Sequence, residues 1–264
     1  MPMVRPILAV AACAAIALAS WTFASLTEGS WAPAIAQDSP GQRLSLDKLA
    51  DIQAGTYVAG DNLKFVLIPV NGDFLLRLQD SPEIFVLYAD HGSLGGRILK
   101  YDSDETALVV AVWGGMTLYT DAQPGGLPVV RVGDTPMISP PLIGPGETQN
   151  QVNDEARRLN ARGLQIAFNV DWNSFNSPLG RAYAFNAVLN AGRGLERYAY
   201  SRSGHDMLAR RIDSVAAVAT GGRPSFALNG RTLVVFFNTG RGFAGCASSR
   251  LLVQWLEEQF GQKR

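Results

Sequence analysis

From about residue 56 to residue 133, apolar positions alternate with polar ones or run briefly together. The segments are LKFVLIPV, DFLLRLQ, EIFVLYAD, RILKYD, TALVVAVW, MTLYT and PVVRVG. Turn-forming residues divide them: Asn71-Gly72, Asp80-Ser81-Pro82, His91-Gly92, Asp102-Ser103-Asp104, Gly114-Gly115 and Pro124-Gly125-Gly126. A period of two sends successive side chains to opposite faces, so Phe74, Leu76 and Leu78 share one face and Asp73 and Arg77 the other. Short strands at near-regular spacing predict an antiparallel β meander, a small sandwich or an open barrel.

The stretch SPPLIGPG, residues 139–146, suits neither strand nor helix, because prolines oppose the first and glycines the second. Beyond it the period lengthens to 3.6. Val152, Ala156 and Leu159 mark one face of a polar helix that Gly163 stops. LQIAFNV alternates like a strand. A helical region runs from about Leu179 to Tyr200, with Gly192 and Gly194 expected to bend or divide it. A short helix is expected around Met207 to Arg211. VAAVA, FALNG and TLVVFF read as strands, with Asn229-Gly230 as a hairpin signal, and a final helix buries Leu252, Trp255 and Leu256. The class is therefore α+β. A β-rich lobe spans residues 37–138, a linker 139–146, and an α/β lobe 147–264 with mixed or antiparallel strands and about three helices.

The N-terminal segment has a different pattern. Arg5 precedes an uncharged apolar run from Ile7 to Ala19, and Ala34 and Ala36 flank Ile35 as in a signal-peptidase site. These features predict a signal peptide over residues 1–36, a mature start at Gln37 and a periplasmic or secreted protein. Two alternatives stand beside it. Residues 6–26 are long enough for an uncleaved inner-membrane anchor, since roughly 20 apolar residues span a bilayer. Val10-Ala11-Ala12-Cys13 is similar to a lipoprotein box. Once the leader is cleaved, no integral membrane domain is expected.

Charge narrows the partners. Lys and Arg total 23 and Asp and Glu total 23. A neutral chain gives nucleic acid no electrostatic reason to bind. The partner expected is an envelope component whose identity the sequence leaves open. The mature chain would hold one cysteine, Cys246, which has no intrachain partner for a disulfide.

Several stretches carry a resemblance. LLRL-x3-PE-x-FVL, GGRILKYD, WGGMTLYT and the closing ALNGRTLVVFF-x2-GRGFAG-x-ASSR are similar to a family of exported bacterial proteins classed only as a domain of unknown function. The resemblance covers most of the mature chain. It implies an uncharacterised envelope protein and supplies no catalytic residues. In that family's closing pattern a basic residue is common at the position of Cys246, which argues against a shared functional thiol.

Candidate chemistry is sparse. Gly240, Gly242 and Gly245 have the G-x-G-x-x-G spacing of a dinucleotide site. The strand and the acidic residue that should come after it are missing, so these glycines are expected to shape a strand-to-helix turn, with Ser248 or Ser249 capping the helix. No cofactor is predicted, although a helix N-terminus can attract an incidental anion. No zinc motif occurs, and Asp102, Asp104 and Glu105 read as exposed acids of a hairpin turn rather than a calcium loop, so no metal is predicted. Asp171 and Trp172 are candidates for contacting a ligand, with the indole as a stacking surface. His205 and Asp206 are a second candidate pair. Arg157, Arg158, Arg162, Arg181, Arg193 and Arg197 form either an anion-binding surface or the solvated sides of helices. The expected function is non-catalytic binding or a structural role in the envelope. The alternative is a hydrolase acting on envelope material, in which Asp171, His205 and Asp206 would converge on one cleft.

Overall fold

The computed structural model describes residues 52–175 and 177–261. The predicted signal peptide, its Gln37 boundary and the anchor and lipoprotein alternatives lie outside these residues.

The alternating segment winds into a ring. Its strands are β1 (Gly55–Ala59), β2 (Leu63–Val70), β3 (Asp73–Leu78), β4 (Phe85–His91), β5 (Arg97–Lys100), β6 (Thr106–Val110), β7 (Met116–Thr120) and β8 (Gln123–Gly133). Each pairs antiparallel with its sequence neighbours, and β1 pairs with β8 (Ala59 opposite Val129, Val58 opposite Val130), so the barrel is closed and has no free edge. Phe65, Leu67, Leu76, Leu87, Leu99, Leu108 and Leu118 fill the interior at 1% exposure or less. Each such side chain contributes about 1.5–3 kcal/mol relative to an exposed position. Asn71 and Gly72 form the β2–β3 turn with positive φ at both (52° and 93°). The triplet Pro124-Gly125-Gly126 is not a turn. It lies inside β8, and the turn is Asp121-Ala122, closed by Thr120 opposite Gln123.

Residues 134–144 lead without regular structure into α1 (Pro145–Asn160). Next come β9 (Ala167–Asn169), α2 (Pro178–Tyr198), α3 (Arg202–Arg211), β10 (Ser214–Ala219), β11 (Ser225–Asn229), β12 (Thr232–Phe237) and α4 (Ser249–Phe260). The sheet order is β11-β12-β10-β9; β9, β10 and β12 are parallel, and β11 is antiparallel to β12. Pro178 at the first turn and the Ser177 hydroxyl, which accepts from Gly180 N, start α2. Gly192 and Gly194 do not divide this helix, which runs unbroken through both. They make room instead: a Cβ on Gly192 would lie 2.5 Å from Glu155 Oε1, and one on Gly194 would lie 2.8 Å from Leu252 Cδ2. No helix among the described residues is long and apolar enough to cross a membrane.

Both parts fall within one compact unit, Leu44–Arg264. Between them runs an apolar seam in which Ile68, Leu75 and Val86, on the outer wall of the barrel, meet Phe243. Phe243 belongs to a 3-10 segment, Thr239–Gly245, that links β12 to α4. The glycine-rich stretch thus presents an aromatic plug to the barrel. Gly242 turns the chain with φ 59°, ψ −138°, a region only glycine adopts freely. Gly245 has no positive φ, but a Cβ there would stand 1.8 Å from Asn238 O.

Candidate functional site

Successive hairpins of a meander barrel alternate between its two ends, so the β3–β4, β5–β6 and β7–β8 connections share one rim. These connections carry Glu83, Asp102, Glu105 and Asp121, and the rim faces the start of α4. Ser248 is the helix N-cap, and its hydroxyl accepts from Arg250 N and Leu251 N at 3.1 and 3.2 Å. The same hydroxyl donates to Asp102 Oδ1 at 2.5 Å, while Ser248 N donates to Asp102 Oδ2 at 2.8 Å. Ser249 repeats the arrangement with Glu83: its N and its Oγ donate to the two carboxylate oxygens, each at 2.8 Å. Leu252 N donates to Ser248 O and begins the intrahelical ladder. The N–H groups that a helix start leaves without partners are therefore all used. Two carboxylates at this end also oppose the positive pole of the helix.

Two arginines complete this clamp between barrel and helix. Arg250 Nη1 donates to Glu105 at 2.5 Å and Nη2 to Asp121 at 2.7 Å, and its guanidinium lies 4.2 Å from the centre of the Tyr101 ring. Arg197, from α2, donates to the other oxygen of Asp121 at 2.5 Å and stands 4.0 Å from Glu83. Burial pushes the Glu83 carboxyl above the ordinary glutamate range, against the opposing pull of Arg197 and Ser249. Asp102 is raised for the same first reason, with Ser248 and Arg250 opposing. A small cavity of ≈ 170 Å³ opens beside the cluster, lined by Ser103, Glu105, Asp121, Arg197, Arg250 and Glu257 among others.

This geometry corrects two sequence expectations. Asp102 is not an exposed turn acid, because it is committed to the α4 cap. The N-terminus of α4 is not open to a free anion, because the barrel's own carboxylates occupy it. The six arginines considered for an anion surface all have partners within the chain, though Arg157 and Arg162 remain largely exposed. Arg158, Arg162 and Arg193 form an ion network with Glu155 and Glu196 between α1 and α2, Arg157 pairs with Asp154, and Arg181 donates to Ile143 O and Phe175 O.

The four candidate residues form two sequence-adjacent pairs that no hydrogen bond or ion pair joins among the described residues. Asp171 is exposed and accepts from Asn173 N at 3.1 Å, starting the 3-10 turn Trp172–Ser174. Trp172 is 5% exposed in the α/β core, and its Nε1 donates to Gln149 at 2.8 Å. His205 Nε2 lies 3.0 Å from Arg162 O on α3, and exposed Asp206 is its neighbour at 3.7 Å. Among the described residues no hydrogen bond or ion pair joins Asp171 to either of them. Cys246 is free and buried, its thiol donates to Tyr183 O at 3.3 Å, and burial pushes it up to about 12.

On the other side of Tyr101 and Asp102 a groove of ≈ 550 Å³ opens between the barrel wall and the loops after β10 and β12. Arg223 and Arg241 line it, and both are exposed. The local sequence marked Ser248 or Ser249 as the helix cap, and Ser248 is that cap, but it singled out neither the carboxylates the serines meet nor the groove, while the resemblance touched both clamp and groove. Glu83 lies in PE-x-FVL, Asp102 in GGRILKYD, Asp121 directly follows WGGMTLYT, Ser248 to Arg250 end ASSR, and Arg241 lies in GRGFAG.

A family model described as Domain of unknown function (DUF4908) matches residues 42–256. No curated protein and no solved structure matches the chain.

Proposed function

The chain belongs to the DUF4908 family of domains of unknown function, and from that premise we propose that it is an exported envelope protein that binds its ligand without transforming it. The observation that carries this proposal is the saturation of the polar cluster at the barrel rim. Its two serine hydroxyls already donate to buried carboxylates and accept, or stand beside, the helix N–H groups. The Ser248 hydroxyl is held as a cap, its lone pairs turned to Arg250 N and Leu251 N rather than toward a substrate carbonyl. The two histidines stand elsewhere, His91 at the end of β4 and His205 on α3. A hydrolase built on Asp171, His205 and Asp206 would need them in hydrogen-bond reach of one another. Asp171 instead closes its own turn, and His205 contacts the Arg162 carbonyl.

Export to the periplasm is supported by Arg5, by the uncharged run Ile7 to Ala19 and by the small residues Ala34 and Ala36 before Gln37. Residues 6–26 offer the anchored alternative, and an intact N-terminus on membrane-bound chain would favour it over cleavage. The binding role is tested by incubating the purified chain with isolated envelope material. Co-sedimentation without release of soluble fragments is the expected result. Fragments detected by mass spectrometry would establish the hydrolase in its place.

A further inference from the structure

We propose that the groove beside the clamp binds a small organic phosphate, with Arg223 and Arg241 gripping the phosphate group. The groove's ≈ 550 Å³ is the size of a small-ligand site and too small for a polymer. It lies at the carboxyl ends of β10 and β12, neighbouring parallel strands, where open α/β sheets collect ligands.

The two arginines sit on separate loops that are fixed to each other. Asn238 is the fastener: its Nδ2 donates to Gly221 O at 3.0 Å and Gly222 O at 2.9 Å, and its Oδ1 accepts from Gly240 N at 3.0 Å. One side chain thus ties the residues before Arg223 to the residue before Arg241. Thr220 N donates to Phe237 O at 2.7 Å and holds the bases of both loops together. The loops are positioned before any ligand arrives, so binding loses little ordering entropy there.

The charge of both arginines is available. Among the described residues neither guanidinium has a hydrogen-bond or ion-pair partner, whereas Arg197 and Arg250 a short way off are paired with carboxylates. Both lie near enough to the Tyr88 phenol for their charge to oppose the rise in its pKa that burial causes. The acids nearby are largely spent: Asp90 pairs with Lys100 at 2.7 Å, and Asp102 holds Ser248. Asp104 remains at the edge, and Asp73 lies near Arg241 without forming an ion pair.

Two guanidinium forks from two loops favour phosphate over carboxylate. One fork satisfies a carboxylate edge, while a phosphate monoester has three terminal oxygens to share between two. The rest of the lining, including Tyr88, Pro224, Ala244 and Leu251, offers apolar surface for an organic body. The inference rests on the binding role proposed above and on no assumption about export.

Calorimetric titration of the full chain tests it, with phenyl phosphate, benzoate and inorganic phosphate as soluble probes. Flotation with phosphatidylcholine vesicles containing phosphatidic acid tests a lipid source. Phenyl phosphate should bind one to one and more tightly than the other two. Arg223→Ala and Arg241→Ala should each weaken it by about tenfold or more. Flotation that both substitutions abolish supports the phosphate grip and assigns it to a lipid headgroup. Benzoate binding as tightly as phenyl phosphate, affinity untouched by both substitutions, or no response in either arm overturns the proposal. Chain that sediments with envelope material yet ignores every phosphate probe sinks the groove alone, and fragment release sinks the binding role alone.

Discussion

Two arginine pairs stand on either side of Tyr101 and Asp102, and they differ in what they touch. Arg197 and Arg250 reach three carboxylates on the barrel rim and cover two aromatic rings, and the Arg250 side chain is 10% exposed. Arg223 and Arg241 reach none. Charge alone does not separate a fastening from a binding surface. What separates them is whether the donors of each guanidinium are already engaged. The first pair holds the α/β part against the barrel, and the second leaves its donors for something outside the chain.

The largest effect should come from breaking the fastened side. Glu83→Ala leaves Ser249 N and Oγ buried without their acceptor and strips Arg197 of one charge. It should cost about 3 kcal/mol in urea unfolding. Glu83→Gln keeps an acceptor and should cost under about 1 kcal/mol. Equal stability of the alanine variant and the parent would mean that the clamp does not fasten anything.

Next is the plug that seats the barrel on the α/β part. Gly242→Ala forces a side chain at φ 59°, ψ −138°, and meets Tyr183 Oη at 3.2 Å. A loss of about 2 kcal/mol in thermal unfolding is expected. No loss would place the strain elsewhere.

A smaller effect separates the charge of Glu83 from its shape. Its folded pKa is raised above the ordinary value of 4.5, so between those two values the folded chain binds more protons than the unfolded one. Stability from this group is therefore full below the unfolded pKa and declines as pH rises toward the folded one, then stays level. Asp102 acts in the same direction. The stability of Glu83→Gln relative to the parent should rise over that window, as measured by urea titrations at a series of pH values. Parallel curves would show that Glu83 keeps an ordinary pKa.

The smallest effect belongs to the open side. Arg223→Ala and Arg241→Ala should shift unfolding by no more than about 0.5 kcal/mol, singly or together, while phenyl phosphate affinity falls. A large stability loss would make these arginines structural after all.

The parts visible in the sequence are those whose signal is local. Period-two alternation located seven of the barrel strands, and Asn71-Gly72 located a turn, because pleat and turn chemistry act over a few residues. β1 was not singled out, since GTYVA is short, begins with glycine and takes half of its pairing from distant β8. The Pro124-Gly125-Gly126 triplet was misplaced because pairing with β7 continues through it. GRGFAG was legible as backbone geometry, but the role of Phe243 as a plug required the barrel wall. The clamp was illegible for a plainer reason: Asp102 and Ser248 are 146 residues apart, and Glu83 and Ser249 are 166 apart. A window around Asp102 shows an acid in a turn and nothing of the helix it caps. For the same reason Gly192 and Gly194 read as weak points in a helix, while their effect is to admit Glu155 and Leu252.

The separation of the clamp partners also sets an order of events. A chain made from its N-terminus completes every barrel strand more than 100 residues before Ser248 and Ser249 exist. Until then only Arg197, from α2, can reach the rim carboxylates, through Asp121 and Glu83. Helix α4 is thus a keystone, and a chain cut short before it would carry a formed ring whose rim lacks the Ser248 and Ser249 fastenings. Synthesis of α4 and fastening of the two parts become one event, so a protease that samples exposed seams would distinguish chains that have reached α4 from chains that have not.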